Sequence, residues 1–157
     1  MTINPEQDAG HATAARIGRW IVPAIPIGWT WIPSFGIQMR AEGVVPSTVC
    51  LGEDRLLVGS QLEPYIKAQI AMIKKAFEDP VIAGPAPLAF PDADEAALLM
   101  LKHRPTQEGS VFQVQHYIRS GQWVGIATLS TLESEVLKVR PAFDHFMKLI
   151  RIEPEQG

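Results

Sequence analysis

The four histidines are the residues of this chain best suited to bind a metal or to act as a general base. Zinc sites place a second ligand at a short fixed spacing, either four residues away on a helix or in a Cys-x-x-Cys pair. No histidine here has such a partner, and His103 could join His116 only if the strand register opposed them. We therefore predict structural roles and no bound metal for His11, His103, His116 and His145.

The acidic cluster at residues 92–95 resembles the opening of a calcium-binding loop. Such a loop needs a glycine at its sixth position and a closing glutamate, and both are missing after Asp92, Asp94 and Glu95. A solvated turn is the predicted structure.

Nucleophiles lack activating neighbours. Cys50 has no recognisable base nearby in the sequence, and Ser120 and Ser130 lie in no nucleophile elbow. No glycine-rich phosphate loop precedes a helix. As the single cysteine, Cys50 cannot form an intrachain disulfide, which fits a reducing compartment. We predict a protein that is not an enzyme and has no cofactor, so its function must be inferred from fold and surfaces.

The charge composition argues against nucleic acid and anionic lipid as binding partners. The chain has Lys+Arg 14 and Asp+Glu 17, and it contains no run of basic residues. This charge balance does not predict the positively charged surface with which proteins bind nucleic acid or anionic lipid. An apolar run begins at Trp20, but Pro23 and Pro26 interrupt it, which excludes a signal peptide or a membrane span. At 157 residues the chain is predicted to be one cytoplasmic domain, residues 1–157, with residues 1–15 as a flexible tail.

The segments before residue 80 predict short strands followed by one helix. Prolines and glycines in 19–40 favour edge strands and turns, 49–51 continues the strand signal, and 52–59 is a predicted loop. An amphipathic helix is predicted at 62–77 from apolar residues three or four positions apart. Its start has two alternatives: a capping box from Ser60 to Glu63, or Pro64 at the first helical position with Glu63 as cap.

Three strands and a closing helix follow. Strands are predicted at 96–104, 111–118 and 122–130, and a helix at 141–150 with Pro141 near its start. A two-residue turn at Ser120 and Gly121 would set the hairpin register. That register pairs Phe112 with Leu129, Val114 with Ala127, His116 with Gly125, and Ile118 with Trp123 on the core face. The predicted fold class is α+β, an antiparallel sheet flanked by helices.

The second sheet face is predicted to mix apolar and amide side chains. A helix of the same domain could cover it, or it could be an open binding groove whose amides suit an apolar helix carrying Gly, Ser or Thr. The predicted groove residues are Leu98, Met100, Gln113, Gln115, Tyr117, Val124, Ile126 and Thr128.

The segment order and the stretches LEPYI (62–66), QVQHY (113–117), AT (127–128) and RPAFD (140–144) resemble the PsbP-like fold. More narrowly, they resemble the DcrB-related proteins, which include the Eag chaperones of bacterial type VI secretion. The likeness covers 49–152. The family usually opens with a short apolar strand and a Pro-Gly-Trp step, whereas PIGW (26–29) here follows a longer tail.

The resemblance implies a homodimer whose concave surface holds the apolar N-terminal segments of a secreted effector until export. Partly exposed tryptophans in the proline-rich segment, Trp20, Trp29 and Trp31, would support such a dimer. The predicted function is a non-catalytic chaperone or adaptor without stable membrane insertion. The alternative is a small-ligand binding module, or an enzyme whose site is assembled from residues such as His103, Asp92 and Glu95.

Overall fold

The computed structural model describes residues 15–26, 28–32, 36–39, 47–106 and 109–156. Their elements are β1 (Ala15–Ile17), β2 (Trp20–Val22), β3 (Thr30–Ile32), β4 (Gly36–Gln38), β5 (Thr48–Arg55), α1 (Leu62–Ala76), β6 (Val81–Pro87), β7 (Glu95–Thr106), β8 (Gly109–Ser120), β9 (Trp123–Leu132), α2 (Val136–Leu149) and β10 (Arg151–Ile152).

Within these residues, a large antiparallel sheet of seven strands, ordered β3-β4-β5-β9-β8-β7-β6, carries one α-helix on each face. A small sheet, ordered β1-β2-β10, has three strands. The predicted α+β class is confirmed.

The proline-rich segment forms short strands, as predicted, but they are not all edge strands. Among the described strands, β2 lies between β1 and β10, and β4 lies between β3 and β5. Interior positions are possible because Pro23 and Pro26 follow β2 instead of interrupting it. The predicted loop 52–59 is wrong in its first half, where β5 continues to Arg55 by pairing with β9. Of the predicted tail, residues 1–14 lie outside the described residues.

The β8–β9 hairpin turns one residue later than predicted. Ser120 pairs with Trp123, so Gly121 and Gln122 form the turn, with Gly121 at a positive φ of 60°. Each predicted cross-strand pair is therefore wrong by two residues; Val114, for example, lies opposite Leu129. Since side chains alternate with a period of two, this shift leaves every residue on its predicted face.

Helix α1 is confirmed, but neither predicted cap forms. Gln61 is the N-cap residue and provides no side-chain hydrogen bond. The Leu62 N–H instead donates to the Glu95 carboxylate on β7, at 3.0 Å. That carboxylate also accepts a hydrogen bond from Arg119 on β8. The helix start is thus stabilised by two strands that lie far away in sequence.

Helix α2 begins at Val136, five residues before its predicted start, so Pro141 lies inside it. Pro141 cannot donate to the carbonyl of Leu137. Both residues are exposed, Leu137 at 89%, which leaves water free to satisfy that carbonyl.

The main core lies under α2 and the small sheet. Trp20 is fully buried, with edge contacts to Phe90 and Trp123, and Trp29 packs against Phe146. The expectation that this segment leaves at least one of its three tryptophan rings exposed now depends on Trp31, because the small sheet and α2 cover Trp20 and Trp29. The side chain of Trp31 lies outside the described residues.

Glycine at position 18 allows the turn between β1 and β2 to approach Glu53. Gly18 has a φ of 56°, and a Cβ there would overlap the Glu53 carboxylate. That carboxylate accepts hydrogen bonds from the Arg19 N–H, at 3.1 Å, and from the Trp123 indole.

We predict that Gly18→Ala lowers the free energy of unfolding by about 1–2 kcal/mol more than Gly59→Ala. Gly59 is the matched control because its φ is 79° but nothing lies within 4 Å of an added Cβ. Both variants strain a left-handed residue, and Gly18→Ala alone displaces the carboxylate. Urea unfolding measures both; equal losses would show that the Glu53 contacts contribute nothing.

The His116 imidazole lies against α2, edge-on to Phe143 with ring centroids 5.3 Å apart. Burial, aided by the positive charge of Arg140, lowers the pKa of His116 to about 4. In the unfolded chain its pKa is near 6.5. Between these values the unfolded state binds more protons, so this residue makes the fold less stable as pH falls.

We predict that His116→Phe, which keeps an aromatic ring beside Phe143, removes this contribution. Relative to the parent, the variant should gain roughly 3 kcal/mol between pH 6.5 and pH 4. Urea unfolding of both proteins at a series of pH values measures the difference. A difference independent of pH would contradict the inferred neutral imidazole.

Candidate functional site

The mixed face is the side of β7, β8 and β9 that α1 crosses. It carries six of the eight predicted groove residues, but their cross-strand pairs differ from the predicted ones by two residues, because Tyr117 pairs with Ile126 and Gln115 pairs with Thr128. Tyr117, Val124 and Gln115 are buried, whereas Ile126 and Thr128 are half-buried. Gln113, half-buried and opposite Ser130, shares this face.

Leu98 and Met100 were wrongly predicted to lie on the mixed face. They pair with His116 and Val114, so they point to the opposite side and pack against the core beneath α2. Leu99 and Leu101 take their places. The β7–β8 pairing has an irregularity between His103 and Thr106, and a one-residue shift exchanges the two faces of a strand. Pro105 lies within this irregularity and cannot donate a ladder hydrogen bond, so it is the sequence signal that could have marked it.

Helix α1 covers part of the mixed face, as the covered-face alternative predicted. Leu62 and Ile66 pack with Leu99, Tyr117 and Val124 in a second hydrophobic cluster, and half-buried Ile126 packs against its edge. Among the described residues, the rest of the face carries half-buried side chains on β8, β9 and β5. We call this part the open strip; its residues are Cys50, Gln113, Ile126, Thr128 and Ser130.

A row of hydrogen bonds along β8 links the covered part of the face to the open strip. The Tyr117 hydroxyl donates to Gln115 Oε1, and Gln115 Nε2 donates to Gln113 Oε1 at 3.0 Å. Burial raises the pKa of Tyr117 to about 12, so the phenol keeps its proton at neutral pH. Because Gln113 accepts through its oxygen, the row ends in the Gln113 NH2 group. The open strip therefore combines one amide donor and two hydroxyl groups with the apolar side chain of Ile126 and the thiol of Cys50.

The histidines do not form one site. His103 lies on the mixed face, stacked on Phe77 with ring centroids 3.8 Å apart, whereas His116 lies on the opposite face. His103 is buried without a hydrogen-bond partner, and burial lowers its pKa. His145 is exposed on α2, and His11 lies outside the described residues. Within the described part of the chain, no three His, Cys, Asp or Glu side chains are grouped to hold a metal ion.

The acidic residues at the start of β7 have structural partners. Asp94 accepts a hydrogen bond from the Gly121 N–H at 2.7 Å. Burial raises the pKa of Glu95, but its hydrogen bonds from Arg119 and Leu62 outweigh this and leave the pKa below its usual value. Along β7, His103 is eight residues from Glu95, roughly 26 Å in an extended strand. The hypothetical site of His103, Asp92 and Glu95 is therefore not brought together.

The thiol of Cys50 belongs to the open strip, where β5 pairs it with Thr128. It is half-buried, and burial raises its pKa, which disfavours the reactive thiolate. Its role there is that of a small apolar side chain.

No helix in the described part of the chain is long and apolar enough to cross a bilayer.

Comparison with known proteins shows the fold. No family model and no curated protein matches the chain. A Pseudomonas aeruginosa protein of unknown function, PA94, described as a putative regulator, shares 20% identity at a TM-score of 0.66 over 94% of this chain and 100% of its own. LpqN of Mycobacterium tuberculosis, involved in cell envelope biogenesis, shares 15% identity at a TM-score of 0.68 over 90% of each chain. The chain is thus similar in fold to these proteins, while the narrower resemblance to DcrB-related proteins rests on its sequence stretches.

Proposed function

We propose that this protein is a non-catalytic cytoplasmic chaperone that holds an apolar, transmembrane-type helix of a type VI secretion effector before export. The observation that carries the proposal is the row from Tyr117 through Gln115 to Gln113, which lies opposite half-buried Ile126, Thr128 and Ser130 on β9. The resemblance to the Eag chaperones supplies the class of client.

The chemistry of the open strip suits such a client. A transmembrane helix presents mainly apolar side chains and often carries Gly, Ser or Thr on its packing face. Ile126 offers apolar contact, and the Gln113 NH2 group and the Thr128 hydroxyl can bond to client hydroxyls or carbonyls. A polar client group buried there would otherwise lose its hydrogen bonds to water.

The dimensions of the sheet also suit a helix. Packed helices lie 8–10 Å apart, and adjacent strands lie about 4.8 Å apart. A helix packed beside α1 would therefore lie about two strands away from it. That position is over β9 and β5, which carry four of the five residues of the open strip.

The homodimer remains a prediction from the resemblance alone. Trp20 and Trp29 no longer support it, since both are buried within this chain.

We predict that Ile126→Asp abolishes client binding. An unpaired carboxylate in the contact costs several kcal/mol, which corresponds to a loss of two or more powers of ten in affinity. The probe is a fluorescent Leu/Ala peptide about 20 residues long, with central Gly and Ser and lysines at both ends. Anisotropy measures its binding, and circular dichroism checks that the variant is folded.

Leu137→Asp is the matched control, because Leu137 is an exposed apolar residue on α2, behind the opposite face. It should bind the probe like the parent protein. Failure of the parent to bind both the probe and the apolar N-terminal segment of an effector encoded next to it would reject the proposed function. Unchanged binding by folded Ile126→Asp would reject this face as the groove.

We predict a smaller loss, of order 1 kcal/mol or about fivefold in affinity, for Gln113→Ala. Removing the donor leaves one client acceptor unsatisfied but introduces no charge. Gln113 tests the client hydrogen bond better than Gln115, because the loss of Gln115 would also leave the buried Tyr117 hydroxyl without its hydrogen-bond acceptor. A probe with Ala in place of its Gly and Ser residues should bind the parent protein and Gln113→Ala with more similar affinities. If the ratio of the two affinities is as large as with the original probe, Gln113 contributes by packing and not by a hydrogen bond.

A further inference from the structure

One side of α1 borders the open strip. Tyr65 points to that side: its ring lies 6.1 Å from that of Tyr117, and its hydroxyl donates to Asp54 on β5 at 2.8 Å. Leu62 and Ile66 point down into the second hydrophobic cluster. Tyr65 therefore marks the flank of α1 that faces β9 and β5.

The direction of α1 follows from its two ends. Its first residue, Leu62, bonds to Glu95, and Phe77, just after its last turn, stacks on His103. The helix therefore runs along β7 from Glu95 towards His103. Since β8 is antiparallel to β7, α1 passes Tyr117 first and the glutamines afterwards.

Met72 lies on the same flank as Tyr65. Seven residues make almost two turns of helix, so the two side chains are only about 20° apart around the axis. Met72 is about 10 Å further along, which equals roughly three residues of β8. This places Met72 level with Gln115 and Gln113, beside the open strip.

We propose that Met72 forms the side wall of the client seat and packs against the client helix. This inference rests on the proposed function and adds a binding residue from outside the sheet. Met72 is 62% exposed, so its side chain is accessible to a client helix packed beside α1. An unbranched, polarisable methionine adapts its shape to different neighbours, so the wall would tolerate clients with varied apolar side chains.

The test compares Met72→Lys with Leu137→Lys, using the same lysine-flanked peptide and fluorescence anisotropy. Both variants replace an exposed apolar side chain with the same charge, so any general repulsion of the probe is equal. Met72→Lys should weaken binding by about tenfold or more, and Leu137→Lys should leave it within about twofold. Met72→Leu should retain most of the affinity.

A second measurement does not depend on stability. A benzophenone amino acid at position 72 should crosslink to the probe, and the same group at position 137 should not. If folded Met72→Lys binds the probe as tightly as the parent protein, and position 72 gives no crosslink, then Met72 does not contact the client helix. If Ile126→Asp still abolishes binding in that case, the proposed function stands and only the role of Met72 fails. If the parent protein binds no probe, both the proposed function and the role of Met72 are rejected.

Discussion

The pairing register of β7, β8 and β9 is the constraint on which the rest of the structure depends. Side chains on a strand alternate between two faces, so one register assigns every residue of these strands to α1 or to α2. Val114 and Ile118 point into the main core with Phe143, whereas Gln115 and Tyr117 lie on the mixed face. A slip of one residue would bury the glutamines under α2 and expose the core.

The Glu95 carboxylate connects this register to the position of α1. It bonds to the Leu62 N–H at the helix start and to Arg119 on the neighbouring strand. A carboxylate at a helix N-terminus also interacts favourably with the helix dipole. The attachment fixes where α1 begins on the mixed face, and Phe77 on His103 marks where it ends. The part of the face that α1 covers, and therefore the open strip, follows from these two contacts.

The proposed chaperone role uses this division between a closed core and a partly covered face. The main core packs buried aromatic residues between the large sheet, α2 and the small sheet. Several side chains of the mixed face are only half-buried, and its two glutamine amides bond to each other. The fold shared with PA94 and LpqN does not itself define an activity, since one fold can carry many functions. The proposal therefore depends on the side chains of the open strip.

The sequence by itself determined the α+β class, helix α1, strand β7 and the face of every residue on β8 and β9. These follow from local periodicity, which is a property of neighbouring residues. Four features were decided only by the tertiary structure: the Glu95 cap, the early start of α2, the burial of Trp20, and the exchange of Leu98 and Met100 for Leu99 and Leu101. Three of them depend on contacts between elements distant in sequence: Leu62 meets Glu95 across 33 residues, Trp20 is enclosed by Phe90 and Trp123, and an irregular pairing with β8 shifts β7 by one residue. The early start of α2 depends on solvent exposure around Pro141. Local sequence patterns do not specify contacts between distant elements or exposure to solvent. Both are set only when the elements pack together.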